Sequence, residues 1–539
     1  MSTIRDARVR NANDHKPDTT GEYVLYWCSM YRRLTHNHAL DYALHWARQL
    51  KKPLVVYEGL KLNAPWASTR FHQFILEGMI DNAAAAKELG VIYWPFVETP
   101  DDRGRGLVRQ LCSKACLLVT DDYPQYIVPA QIRAIAEQVT IPVYAVDGNS
   151  VVPLSLLGPP TGAAAHLRPK IHKQFALAWA NRASAEPDFE KVGVKKAPKP
   201  PFKLWEAPKD LGAFVRGLPV DQTVPAVSGA IGGTVEAKLV LKDFLKFKLK
   251  KYGTERNLPD APKRNAASGL SWHLHYGHLS IEELIAATLP DGWTEADIHT
   301  KTRDKSDFYC RDTNVNGFLD EAITWRDVGY QWNFAKSRLA TGGSNRSWEA
   351  RGERPSFNFE SYDFSPVAAS GTLDGVLPAW AKATLNKHAG DRREYLYNLE
   401  QFENADTHDD LWNAAQRELV ATGRIHNYLR MLWAKKVLEW SESPEAAYRI
   451  LELLNNKYAI DGRDPNSYTG ILWTFGLFDR FWPPERPVLG NIRYMSSGNT
   501  AKKFIMGPYI EYVRKLSTVA EVRGIDATAN SVKKAGELF

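Results

Sequence analysis

Cysteine is scarce in this chain: Cys28, Cys112, Cys116 and Cys310 are the only four in 539 residues. No second Cys or His pair stands at ligand spacing from Cys112 and Cys116, so no zinc site is expected, and no run of four suggests an iron–sulfur cluster. Reduced thiols in a cytoplasmic protein are the expectation. No apolar run reaches membrane-spanning length, so no membrane partner is expected. The polar start, MSTIRDARVRNANDHKPDTTGEY, lacks the apolar core of a secretory signal. Asp6, Asp14 and Asp18 interrupt its basic residues, which argues against a transit peptide and leaves residues 1–20 as a flexible arm. The first strand-like segment is not followed by G-x-G-x-x-G, which disfavours a conventional dinucleotide site there. Internal repeats are absent.

What is present divides the chain in two. Segments 22–28, 53–59, 91–96, 115–124 and 141–148 are short, rich in Val, Ile, Tyr and Trp, and read as strands. Between them, 38–50, 70–90, 104–112 and 129–139 read as helices. Strand–helix alternation at this spacing predicts a parallel, Rossmann-like sheet covered on both faces over residues 21–150. The pattern weakens over 151–227, where the Lys- and Pro-rich stretch 191–210 excludes regular helix, so the whole span reads as a linker. From 228 to 515 nearly every periodic segment is helical, and 516–539 forms a tail. The expected class is therefore α/β plus all-α. Residues 335–370 carry Gly, Ser, Arg and aromatics without period and break the helical order as a long irregular stretch.

A net charge of +7 permits a polyanionic partner without establishing one. Its arrangement says more. Residues 239–257 interleave five lysines and Arg256 with apolar positions, which suits either a solvated basic helix face or phosphate contact. The stretch from Thr407 to Met495 is more specific. Trp433 and Trp440 lie two helical turns apart on one face, close in sequence to Arg430 and to the Asp461-Gly462 turn. An ordinary core does not need that mixture, whereas a redox cofactor with a buried electron path does.

Four ordered blocks carry a family resemblance: WNAAQ (412–416), LRMLWAKKVLEW (429–440), NNKYAIDGRDPNSYTG (455–470) and NIRYM (491–495). The chain resembles the photolyase/cryptochrome flavoproteins, and among them the class II cyclobutane pyrimidine dimer photolyases, from about Tyr23 to Val513. HNYLRM (426–431), Trp272 in place of a usual proline, and residues 335–370, longer than the family's corresponding connection and so resembling an insertion, mark it as a divergent member. The resemblance implies an N-terminal antenna domain, a helical domain holding folded FAD, and light-driven splitting of dimers in UV-damaged DNA. The lesion would be flipped out of the duplex. An antenna chromophore, a deazaflavin or a folate, is implied for the N-terminal domain, and a monomer is expected. Two alternatives stay open, a cryptochrome-type blue-light receptor and repair of the (6-4) photoproduct.

Residue by residue, the resemblance implies that Ser268, Leu270, Ser271, Leu274 and Gly277 form the flavin-phosphate segment. Arg430 and Asp461 would flank the flavin ring, where a buried cation needs a carboxylate nearby. Asn455 would lie near flavin N5, with Asn456 as the adjacent register. Trp433, Trp412 and Trp440 would carry electrons. Glu321 would face the lesion, with Asp320 as its competing register, and Trp325, Trp473 and Met431 would line the lesion pocket. Arg493 would enter the gap left in the DNA, and Lys502 and Lys503 could add phosphate contacts.

Overall fold

The computed structural model describes residues 4–189, 197–299, 307–339 and 372–524. The insertion expected over 335–370 lies, from residue 340 onward, outside the described residues, as does the tail beyond residue 524.

Six strands form one sheet: β1 (Val9–Asn11), β2 (Tyr23–Trp27), β3 (Leu54–Leu60), β4 (Ile92–Val97), β5 (Ala115–Asp121) and β6 (Val143–Val146), in the order β1-β6-β5-β2-β3-β4. Strands β2 to β6 pair in parallel, and only the β1–β6 pair is antiparallel. Every residue of β2, β5 and β6 is buried, as expected where helices cover both faces of a parallel sheet. From β2 the chain builds outward through β3 and β4, then returns to β5 on the other side. That reversal leaves a crevice at the carboxyl ends of β2 and β5.

Two parts of the expected plan change. The supposed flexible arm contains β1, whose Val9, Arg10 and Asn11 pair with Val146, Ala145 and Tyr144. Arg8 anchors it, donating to the Asp147 and Ser150 carbonyls at 3.1 and 2.9 Å. The supposed linker contains the Ala164–Ala180 helix, kept despite Pro169 because one face of it is buried. Its Arg168 grips Asp320 through two hydrogen bonds of 2.7 and 2.9 Å. Only the next described stretch behaves as a strap. There Phe202 packs beside Tyr57, Trp94 and Phe96, and the Trp205 N–H donates to the Pro95 carbonyl of β4 at 3.0 Å.

The helical half is built around the Asp410–Thr422, Asn427–Trp440, Pro444–Tyr458 and Pro465–Thr474 helices. Their boundaries follow local chemistry. Asp409 caps the first and Gly423 ends it in the left-handed region, while Ser443-Pro444 and Asp464-Pro465 start the last two.

Buried polar contacts join the halves. Arg70, on the Thr69–Leu89 helix, donates to the Tyr458 and Val420 carbonyls at 2.6 and 2.8 Å. Gly277, at φ +74°, lies so close to the Met30–Arg32 backbone that a Cβ would collide with it. Glu282 accepts from the Ala183 N–H at 2.9 Å, meets His38 at 2.8 Å and faces Arg8 at 3.5 Å. Burial alone would raise its pKa, but His38, Arg8 and the Ala183 amide hold it at about 2. A folded-state pKa below the ordinary carboxylate value contributes stability that is present above pH ~4.5 and is lost as pH falls towards 2. Glu282→Gln should therefore cost about 2 kcal/mol at neutral pH. Its acid-denaturation profile should be flatter than wild type between about pH 4.5 and 2, as read by urea titration at each pH.

Candidate active site

A cavity of about 400 Å³ opens in the helical half. Five short pieces of chain make most of its wall: residues 252–257, the segment from Ser268 to His275, the turn Asp320–Trp325, the start of the Asn427–Trp440 helix, and the bend Asp461–Ser467. Seven of the expected residues converge there, namely Ser268, Ser271, Leu274, Glu321, Trp325, Arg430 and Asp461.

The Asp320–Trp325 turn is π-helical, and its wider winding brings positions four to five apart onto one side. Glu321 and Trp325 thus both face the cavity. Asp320 points the other way and is taken up by Arg168. Between the two adjacent carboxylates, Glu321 is the one at the site. Its partner is Arg256, with Nη1 at 2.5 Å from Oε1. Trp325 stacks on Trp473 with centroids 5.5 Å apart and planes 19° from parallel.

Arg430 and Asp461 face this cavity without an ion pair between them, and each leaves a buried polar atom, Nε and Oδ1, with no hydrogen-bond partner. Unmatched buried polar atoms are costly, so a polar ligand between these two side chains would supply what the protein does not. Asn456 donates to the Tyr468 hydroxyl and accepts from the Arg463 N–H at 3.2 and 3.0 Å, so it is a structural residue. Asn455 is also buried and touches Asn456, but neither lines the cavity.

The three tryptophans cluster as a connected group. The Trp433 indole donates to Gln416 at 2.9 Å, and the Trp412 indole donates to the Trp433 carbonyl at 3.0 Å. Trp412 and Trp440 have centroids 6.2 Å apart, and Trp440 lies 4.8 Å from the exposed His408 ring.

Other expected residues sit elsewhere. Gly277 shapes the contact between the halves, and Leu270 is fully buried outside the cavity lining. Met431 is 38% exposed and does not line the cavity. Arg493 lies over the Trp482 ring at 5.1 Å. Sequence reasoning missed Arg256, His426, Asp464 and His275 as lining residues. Burial, with Arg424 and Arg430 nearby, pushes His426 down to about 4, so it faces the cavity neutral at pH 7. Asp464 was within reach of the sequence, since an Asp before Pro and Asn marks a helix start.

A second cavity of about 330 Å³ lies at the carboxyl ends of the strands, against the helical half. Trp27, Arg32, Trp66, Tyr126 and Arg463 are among its walls, and His275 borders both cavities. Among the described residues no cluster of His, Cys, Asp or Glu could hold a metal ion. No helix there is long and apolar enough to cross a membrane.

The chain is similar to known proteins along nearly its whole length. The chain is 31% identical over 516 residues to a deoxyribodipyrimidine photo-lyase of Methanothermobacter thermautotrophicus, covering 95% of this chain and 99% of that protein. It is 32% identical over 543 residues to the deoxyribodipyrimidine photo-lyase of Oryza sativa, covering 98% and 94%. Among solved structures, a class III photolyase from Agrobacterium tumefaciens matches with TM-score 0.55 at 19% identity, over 96% of this chain and 92% of that one. A Synechocystis cryptochrome matches with TM-score 0.60 at 16% identity, over 96% and 93%. At that identity these two establish the fold alone. No family model matches the chain. Identity above 30% along nearly the full length of both partners places this chain in the photolyase family, as a divergent member.

Proposed function

We propose that the chain is a light-driven DNA-repair enzyme that splits cyclobutane pyrimidine dimers, working as a cytoplasmic monomer with FAD in the larger cavity. One observation carries the reading: Glu321 and Trp325, which stacks on Trp473 behind it, line the same cavity that presents unmatched Arg430 and Asp461 atoms. When bound and reduced, FAD supplies an electron on excitation. The protein's part is to hold, orient and shield.

Arg430 Nε and Asp461 Oδ1 would hold the cofactor through their unmatched polar atoms, and the Arg430 cation would favour its electron-rich, reduced ring. Ser268 and Ser271, at the start of the short helix Ser271–His275, offer hydroxyls and N–H groups to its phosphates. With Asn456 committed to Tyr468 and Arg463, Asn455 is the amide proposed for the ring, a role that requires it to turn from Asn456 towards the cavity it does not line here. Trp325 and Trp473 stack on the extruded bases, a contact worth roughly 1–3 kcal/mol per base. Glu321 would donate to a base carbonyl once its carboxyl is protonated, stabilising charge arriving on the dimer. Arg256 fixes that carboxyl's orientation at the cavity wall. Arg493, backed by Trp482, reaches into the gap in the duplex, and Lys502 and Lys503 add phosphate contacts. Trp433, Trp412 and Trp440 would relay electrons from an external reductant to the cofactor. The second cavity, with Arg32, Lys61, Arg109 and Arg463 on its walls, suits an anionic antenna chromophore, a deazaflavin or a folate.

The deciding experiment illuminates chemically reduced, anaerobic protein with DNA carrying one thymine dimer, with a dark control. Light-dependent recovery of thymine absorbance is expected. A photoreducible flavoprotein without recovery would instead favour the blue-light receptor reading. In the same assay Glu321→Ala should lower repair yield roughly tenfold while FAD stays bound. Trp433→Phe should abolish most photoreduction of oxidised FAD, followed by flavin absorbance, yet leave repair by chemically reduced enzyme unchanged.

A further inference from the structure

Lys435 is a buried cation for which none of the roles above accounts. It lies on the Asn427–Trp440 helix, which also carries Arg430 and Trp433, and only 5% of it is exposed. Its ammonium donates to the Thr474 carbonyl at 2.7 Å and reaches the Trp473 carbonyl at 3.5 Å. Those are the last carbonyls of the Pro465–Thr474 helix, where orphan acceptors and the negative end of the helix dipole favour a cation. Trp473, on that last turn, forms the stack with Trp325.

We propose that Lys435 is a positioning residue for lesion recognition. Its ammonium ties the end of the helix bearing Trp473 to the helix bearing Arg430, and so holds the aromatic cradle in register with the cofactor cavity. This rests on the reading of Trp325 and Trp473 as that cradle. A hydrogen-bonded cation suits the joint because it engages carbonyls of two successive residues, which an apolar side chain cannot do.

The charges facing Lys435 are Asp479, from the loop after the helix, and Arg493, from the lesion-gap segment; the first favours the ammonium and the second opposes it. Burial outweighs Asp479 and brings the lysine down to about 7. The charged joint is thus present below neutral pH and gives way to a neutral amine above it. Neutral amines donate more weakly, so the cradle loosens as pH rises.

The test uses the FAD-bound holoenzyme and a duplex with one thymine dimer, at constant ionic strength. Lys435→Met should bind the dimer duplex roughly tenfold more weakly relative to undamaged duplex, equivalent to about 1.4 kcal/mol. FAD content and photoreduction should be retained. Wild-type selectivity should fall between about pH 6 and pH 8.5, while Lys435→Arg, charged throughout, stays flat. A readout independent of DNA is the near-ultraviolet circular dichroism of the stacked pair, taken as the difference from Trp473→Phe. It should change near pH 7 in wild type and not in Lys435→Met. Unchanged selectivity in Lys435→Met, or a flat wild-type dichroism profile, overturns the proposal. Joint loss of FAD and lesion binding in both Lys435→Met and Lys435→Gln overturns it too, in favour of a general packing role. Wild type that ignores the dimer but keeps the pH-dependent dichroism would sink the repair reading and leave the joint standing.

Discussion

Much of this structure converges on one carboxylate, Asp464. It accepts from the hydroxyls of Tyr330 and Tyr123 at 2.8 and 3.1 Å, faces His275 Nδ1 at 3.4 Å, and caps Asn466 at 2.7 Å. These partners come from the helical half, the loop after β5, the cofactor segment and the helix carrying Trp473. Burial opposes the charge, yet His275, Arg326 and the Asn466 amide hold the group below the usual carboxylate range. Arg326 in turn lies over the Tyr330 ring at 4.0 Å. Removing the carboxyl would strand several buried donors at once, which makes such networks costly to break and restrictive of geometry. Sheet, cofactor segment and lesion cradle are thereby referred to one point.

That reference point explains how two cavities stay distinct while close. The short Ser271–His275 helix presents Ser271 to one cavity and His275 to both, and Tyr276 faces the other. Tyr276 is fixed by the guanidinium of Arg463 at 2.9 Å, and that guanidinium also lies over Phe71 at 3.8 Å. A shared wall built from ring stacking and buried hydrogen bonds has few alternative packings, so a molecule in either cavity meets a rigid surface.

The sheet was legible because buried parallel strands announce themselves as short apolar runs. β1 was not, since three half-polar residues earn their place only through the ladder with β6. The Ala164–Ala180 helix hid behind Pro169 and scattered polar residues, although its partners are as far away as Asp320. At the site, ordered motifs brought seven residues to one cavity without any contact being visible in advance. Glu321 could not be told from Asp320 in sequence, because the deciding partner, Arg168, is more than 150 positions away. Arg256 sat at the end of a lysine-rich run and read as one more basic residue, until folding set it against Glu321. Gly277 was legible as special, but its use is close backbone approach between the halves.

The strap that follows residue 196 also has a bearing on colloidal behaviour. A sheet with open ends offers unpaired backbone to any other strand it meets, a common route to assembly in the wrong place. At one end β1 is only three residues long. At the other, the Trp205 amide occupies the Pro95 carbonyl of β4 while Phe202 roofs the adjacent aromatic rings. The strap thus shields an adhesive margin as well as joining two domains. Cutting the chain there to study the halves separately would uncover that margin along with the severed ends.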